Sequence, residues 1–325
     1  HVAVELAGRT ETVAVGERTP FMLVPFELGT IPRITIRGHV RFEVKKIDPL
    51  VVLADPVNVY APTAPLPLTS PREYAERLFD RYGPFETVGW TEQTFALNDK
   101  YQDDEGFLRD LLQDLDRGAG ILMGELAQGG RCVFQVFTAP DRALHCFYRY
   151  YDPEHPIHVP GRVEELGDPV LQILEKCDRI VGETLERLED DDLLLICSDH
   201  GFQTWRWEVN LNRWLVDNGY MTLKGTVVEQ NLAKYFHDGD IGADAVDWSK
   251  TRACAMGLGQ IYLNLRGREE QGIVAPDEAP AWAREIRERL LEVRNPHRPH
   301  ETVLTDVSLV KEIYAGARLG SAPAL

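Results

Sequence analysis

Cys132-Val133-Phe134-Gln135-Val136-Phe137, followed by Thr138-Ala139-Pro140-Asp141 and then His145, is the stretch on which the fold of this chain turns. A second stretch has the same form: Leu193-Leu194-Leu195-Ile196-Cys197 runs into Ser198-Asp199-His200-Gly201-Phe202. Short apolar runs bounded by turn residues, with helical pattern between them, read as buried strands of a parallel sheet. Val170, Ile173, Leu174, Cys177, Ile180, Val181, Leu185 and Leu188 keep close to helical spacing and predict the connecting helix of a βαβ unit. In such sheets ligands gather at the carboxyl ends of the strands, where both Asp/His sets fall. Asp141 and His145 are four apart, so one helical turn puts them on the same face. Carboxylate oxygen together with imidazole nitrogen suits zinc, manganese or a similar divalent ion.

Upstream, residues 1–66 carry strand signals in Val2-Ala3-Val4-Glu5-Leu6, in Thr12-Val13-Ala14-Val15 and in the run from Ile34 to Val44. The last of these alternates apolar and polar side chains, the pattern of a half-exposed antiparallel strand. Val51-Val52-Leu53 then leads into a Pro-rich stretch from Pro56 to Pro71, which marks a boundary. The expected division is a β-rich accessory segment over 1–66 and a larger core over 67–325. Ser70 is placed to cap a helix with Pro71 at its first position, and Phe107, Leu108, Leu111, Leu112 and Leu115 predict a further helix continuing toward Leu126. These helices are expected to cover the sheet. Downstream come a short helix near Leu211–Val216 stopped by Asn218-Gly219, mixed strands and loops over 221–275, and a charged helix over 280–293.

The 325 residues are 44% hydrophobic and 27% charged, enough for one large α/β domain or two domains. A formal net charge of −17 argues against a nonspecific grip on nucleic acid, which needs Lys and Arg against phosphates. It leaves a phosphorylated small molecule open, because bound cations reverse the local field. The five cysteines have no CxxC spacing and read as reduced thiols. No long apolar span and no signal-peptide pattern is visible, so the expected location is cytoplasmic, although the chain begins at His1.

At the two Asp/His sets the chain resembles a known family. Thr138-Ala139-Pro140-Asp141-Arg142-Ala143-Leu144-His145, with Tyr151-Asp152-Pro153-Glu154-His155-Pro156 after it, is similar to the second metal-ligand region of the alkaline phosphatase superfamily, and Ser198-Asp199-His200-Gly201-Phe202 to its third. The closest likeness is to the predicted phosphohydrolase and phosphomutase branch allied to type I phosphodiesterases and nucleotide pyrophosphatases. It continues through Val209-Asn210-Leu211-Asn212-Arg213-Trp214-Leu215 and, less specifically, through Gln260-Ile261-Tyr262-Leu263-Asn264-Leu265-Arg266-Gly267. The resemblance implies an α/β fold with a mostly parallel sheet and helices on both faces, and a β-rich insertion before the second ligand region.

It also implies two divalent metal ions, zinc or manganese. Asp141 and His145 would serve one, and Asp199 and His200 the other. The implied activity is metal-dependent hydrolysis of phosphate esters, phosphodiesterase or phosphatase, on a small phosphorylated substrate. A phosphomutase of the same superfamily is the alternative, and a binding module that keeps the fold without turnover is a third possibility. The upstream strand with its Asp and hydroxyl nucleophile does not occur in this chain and is expected before His1. The final strand and its histidine are expected beyond Leu325, which makes the chain an internal fragment expected to be inactive alone. Among other candidates, His155 suits a turn between two prolines as well as a pocket, and His297 and His300 read as a solvated loop. Arg142 and Arg149 suit the surface at least as well as a phosphate, and Phe147, Tyr148, Tyr150 and Tyr151 suit the lining of a pocket, or more often the core.

Overall fold

The computed structural model describes residues 1–29, 34–88, 93–130, 132–225, 245–257 and 259–325. Arg131, at the head of the first apolar run, and much of the 221–275 region lie outside the described residues, as do the side chains of Leu28 and Ile34. The chain divides into two compact units, His1–Arg206 and Trp207–Leu325.

The first unit opens with antiparallel hairpins. β1 (Val2–Leu6) pairs with β2 (Arg9–Val13) across a turn in which Gly8 takes φ +81°, a conformation open to glycine at no steric cost. The alternating run from Ile34 is two strands rather than one. β4 (Ile34–Val40) lies between β3 (Met22–Leu28) and β7 (Asn58–Val59), whereas β5 (Phe42–Ile47) pairs with β6 (Leu50–Ala54). The break falls at Arg41, whose guanidinium reaches Asp55 Oδ2 at 2.9 Å and Glu86 Oε1 at 2.6 Å.

The periodic segments form helices as predicted. α1 (Arg72–Tyr82) starts one residue after Pro71, but the hydroxyl at its head is Thr69, not Ser70: Thr69 Oγ1 accepts the Ala75 N–H at 3.0 Å. After α2 (Thr94–Asn98), the long α3 (Asp104–Leu126) is capped by Asp103, which accepts the Gly106 N–H at 2.8 Å. Gly124 sits inside α3 because a Cβ there would collide with the Tyr82 ring of α1. α4 (Ala139–Phe147) and α5 (Arg162–Glu165) precede α6 (Pro169–Leu185), whose Asp168 cap accepts the Leu171 N–H at 3.1 Å. α3, α4 and α6 pack on one another around Phe107, Leu111, Leu115, Ala143, Phe147, Ile173 and Ile180. Each large side chain buried there contributes roughly 1.5–3 kcal/mol. The helices therefore make their own core instead of covering a sheet.

The parallel sheet expected of the two apolar runs is not formed among the described residues. Residues 132–137 and 193–197 are in no strand, and every described pairing between strands is antiparallel. Leu193 is 80% exposed, Leu195 78%, Ile196 70% and Phe134 83%. The physical reason is that a strand has no internal hydrogen bonds: it needs neighbours on its edges and a layer on its face. The βαβ expectation is thus corrected, although its helix is present. Phe137, at the end of the first run, does pack against the three-helix core.

Buried charge ties the β-rich part to α3. Arg18 lies 3.2 Å from Glu43 Oε2, 3.4 Å from Asp55 Oδ2 and 2.7 Å from Asp110 Oδ2, all four side chains being at least nine-tenths buried. Glu43 also meets Lys45 at 2.8 Å and Arg109 at 3.4 Å, and Glu86 pairs with Arg41 and Arg117. Burial opposes the Arg18 charge, but Asp110, Asp55 and Glu43 outweigh it and hold the guanidinium above its ordinary range. Asp110 is pushed up by its burial, with Arg18 pulling the other way.

His39 is fully buried in β4, edge-on to Phe21, Tyr60 and Phe79. Its Nε2–H donates to the Phe85 carbonyl at 2.8 Å, and its Nδ1 is buried without a partner. Burial therefore lowers its pKa, although the Phe85 carbonyl and Glu86 favour the cation. Because the unfolded chain takes up this proton first, near pH ~6.5, stability is full above that value and falls as pH drops below it. Urea midpoints of the protein are expected to decline from pH 7 to pH 5 and to decline less in His39→Gln. Equal declines in the two proteins would show that His39 is not the group responsible.

The second unit has its own core. α7 (Leu211–Asp217) is capped by Asn210, which accepts the Arg213 N–H at 2.9 Å, and is ended by Gly219 at φ +77°. β8 (Ala253–Met256) and β9 (Gln260–Leu263) form an antiparallel pair, and α8 (Ala279–Leu291) packs Ile286 and Leu290 with Leu215, Ile261 and Leu263. The segment read as a solvated loop is a hairpin, β10 (Arg294–Asn295) with β11 (Arg298–Thr302). His297, at its turn, stacks on Trp207 with ring centroids 3.9 Å apart.

Candidate functional site

Helix α4 presents the first Asp/His set. Pro140 stands within its first turn, where a missing N–H costs nothing, and Asp141 follows at the end of the helix that favours negative charge. His145, one turn on, brings Nε2 to 3.5 Å from Asp141 Oδ1, so the two share a face as their spacing predicts. Ala143 and Phe147 sink into the core on the opposite side and fix the rotation of the helix.

The second set arrives on the loop after residues 193–197. His200 Nε2 lies 3.8 Å from Asp141 Oδ1 and 3.5 Å from Asp199 Oδ2. The four residues singled out from sequence are thus brought together, with Asp141 Oδ1 facing both imidazoles. Phe202 meets both imidazoles, its ring edge-on to His145 at 4.9 Å and to His200 at 5.4 Å. Asp199 is the most solvent-exposed of the four. Ser198 Oγ donates to the His200 carbonyl at 2.6 Å, a local turn bond. Arg142 Nε lies 3.6 Å from Asp141 Oδ2, which places a cation beside the cluster.

With 62–323 of its 325 residues, the chain matches the family described as type I phosphodiesterase / nucleotide pyrophosphatase, a member of the alkaline phosphatase superfamily. The chain belongs to this family. No curated protein and no solved structure gives a significant match. The family generally uses divalent metals and acts on phosphorylated substrates. No described helix is long and apolar enough to cross a membrane.

Donor chemistry here fits a divalent ion. Carboxylate oxygen and imidazole nitrogen are the donor types that zinc and manganese take. Among the described residues, however, no group of three or more His, Cys, Asp or Glu side chains is placed to hold a metal as it stands.

Other candidates fall elsewhere. His155 lies in a turn, its backbone N–H on the Asp152 carbonyl at 3.0 Å and its Nδ1 accepting the Ile157 N–H at 3.3 Å. Arg149 pairs with Asp104 at 3.5 Å and lies over the Tyr150 ring, so it is engaged in structure. The sequence pattern marks neither Phe202 as a packing element nor Thr204 and Arg206 as partners of Asp152, which it shows only within the Tyr151–Pro156 stretch. Asp152, Thr204 and Arg206 converge from two segments that no periodicity relates.

Proposed function

We propose that this protein hydrolyses phosphate esters, phosphodiesters first, using divalent metal ions held with the help of Asp141, His145, Asp199 and His200. The observation that carries the reading is their convergence on one chain of 3.5–3.8 Å contacts within a family of phosphodiesterases and pyrophosphatases. Asp141 and His145 would hold one ion and Asp199 and His200 the other. Zinc or manganese bound there would supply Lewis-acid polarisation of the phosphoryl oxygens and neutralise developing negative charge. The chain's own residues orient these donors: α4 carries Asp141 and His145 on one face, and the Phe202 ring packs edge-on against both imidazoles. The division into an accessory segment over 1–66 and a core over 67–325 belongs to the same proposal, with the accessory segment controlling access to the site.

The test is hydrolysis of aryl phosphate diesters and monoesters by the full-length protein with zinc or manganese, before and after chelation. Metal-dependent release of the aryl alcohol, fastest on diesters and lost in Asp199→Ala, is the expected result. Metal content should fall in parallel in Asp199→Ala and His200→Ala. Unchanged metal content and turnover in Asp199→Ala would remove that residue from the site.

A further inference from the structure

We infer that Asp152, acting through Arg206 and Thr204, is the positioning group that holds the His200-bearing loop over α4. Asp152 follows α4 and a single turn of 3₁₀ helix (Tyr148–Tyr150), so it is carried by the same packed body as Asp141 and His145. Its carboxylate, nine-tenths buried, takes four donors. Thr204 Oγ1 donates to Oδ2 at 2.6 Å, Arg206 Nε to Oδ2 at 2.6 Å, Arg206 Nη2 to Oδ1 at 2.8 Å, and the Glu154 N–H to Oδ1 at 3.0 Å. Arg206 Nη1 also pairs with Glu154, so the guanidinium bridges two carboxylates on one segment.

The geometry matters because of what lies between the anchors. Residues 193–206 belong to no described helix or strand, so the usual ladder of backbone bonds does not fix this loop. Within it, Phe202 touches both imidazoles, and Thr204 and Arg206 follow by only two and four residues. A planar guanidinium bound through two nitrogens to one carboxylate fixes orientation as well as distance, unlike a single contact. The clamp therefore sets where Phe202 stands, and Phe202 sets where His200 stands relative to Asp141. Arg206, with Thr204 assisting, holds the Asp152 carboxylate well below the usual range. The contribution is present above pH ~4 and is lost only as pH falls through that lowered value, so the clamp stays closed at any neutral working pH.

The inference rests on the proposed phosphoesterase reading for its consequence, but not for its geometry, and the experiment separates the two. In the intact protein labelled at histidine, the Phe202 ring should displace the imidazole signals of His145 and His200. In Asp152→Ala and in Arg206→Gln this displacement should collapse toward free-histidine positions while the circular dichroism spectrum is kept. Where the phosphodiesterase is active, kcat should fall by about 100-fold with little change in KM, the size of effect expected from a displacement of ~1 Å. Arg206→Gln removes a partly exposed side chain, so it decides the matter should Asp152→Ala fail to fold. Unchanged histidine displacement in a folded variant overturns the positioning role, whatever happens to activity. A wild-type protein without phosphoesterase activity overturns the functional reading, while the same spectra still decide the clamp.

Discussion

Asp141→Ala is expected to lower metal-dependent phosphodiester hydrolysis by more than about 100-fold. The floor follows from metal sites generally, where removing only an outer-shell partner of a ligand costs about 10–100-fold in affinity or activity. Asp141 is more central than such a partner, since its Oδ1 faces His145 at 3.5 Å and His200 at 3.8 Å. His145→Ala should lose activity to a similar degree. The double variant should be little worse than either, because side chains that act as a unit are strongly non-additive. Steady-state kinetics on an aryl phosphodiester, with metal analysis of each variant, checks this. Losses that simply add on a logarithmic scale would show that Asp141 and His145 work independently.

Arg18→Ala is expected to be the most damaging single change to stability. The guanidinium is the common partner of Glu43, Asp55 and Asp110, and its removal leaves three buried carboxylates with one cation fewer. Breaking a buried ion pair by deleting one partner typically costs about 3–5 kcal/mol, because the charge left behind is desolvated and unpaired. For a unit of this size that corresponds to roughly 6–20 °C in melting temperature. Replacing an exposed arginine, such as Arg9 with its single partner Glu11, should cost less than about 1 kcal/mol. Thermal unfolding of both variants gives the comparison, and near-equal losses would mean that the buried network is not what joins the β-rich part to α3.

Chelation provides a further check on the site as a whole. An ion held by donors that converge only in the folded chain binds the native state and not the unfolded one. Adding zinc or manganese to the metal-free protein should therefore raise its melting temperature with metal concentration, as for any ligand that binds only the folded state. In Asp141→Ala the rise should be much smaller. A rise of equal size in the variant would place the stabilising ion elsewhere.

Local patterning was decisive for the helices, and the reason is that helices satisfy their own backbone. The spacing of Phe107, Leu111 and Leu115, and that of Ile173 and Ile180, describes α3 and α6 without knowledge of what they pack against. The i, i+4 relation of Asp141 and His145 is legible for the same reason, being set by the rise of a single turn. Hairpins such as β1–β2, closed over a two-residue turn, are also local. The split of the 34–44 run at Arg41 is not, because it depends on Asp55 and Glu86 drawing the guanidinium inward.

Residues 132–137 and 193–197 are the segments whose composition and structure part company. Their apolar composition is that of buried strands, yet Leu193, Leu195 and Phe134 stand in solvent among the described residues. A strand is completed by other segments, and nothing in its own sequence says whether they are in place. What the sequence by itself determined was the helices and the spacing that puts Asp141 and His145 on one face of α4. What only the tertiary structure decided was the meeting of His145 and His200 at Phe202, the buried charges joining β5 to α3, and the bond between Asp152 and Arg206, 54 residues apart. Interactions closed within one turn of chain are written in spacing, whereas those closed across the fold depend on where every intervening element comes to rest.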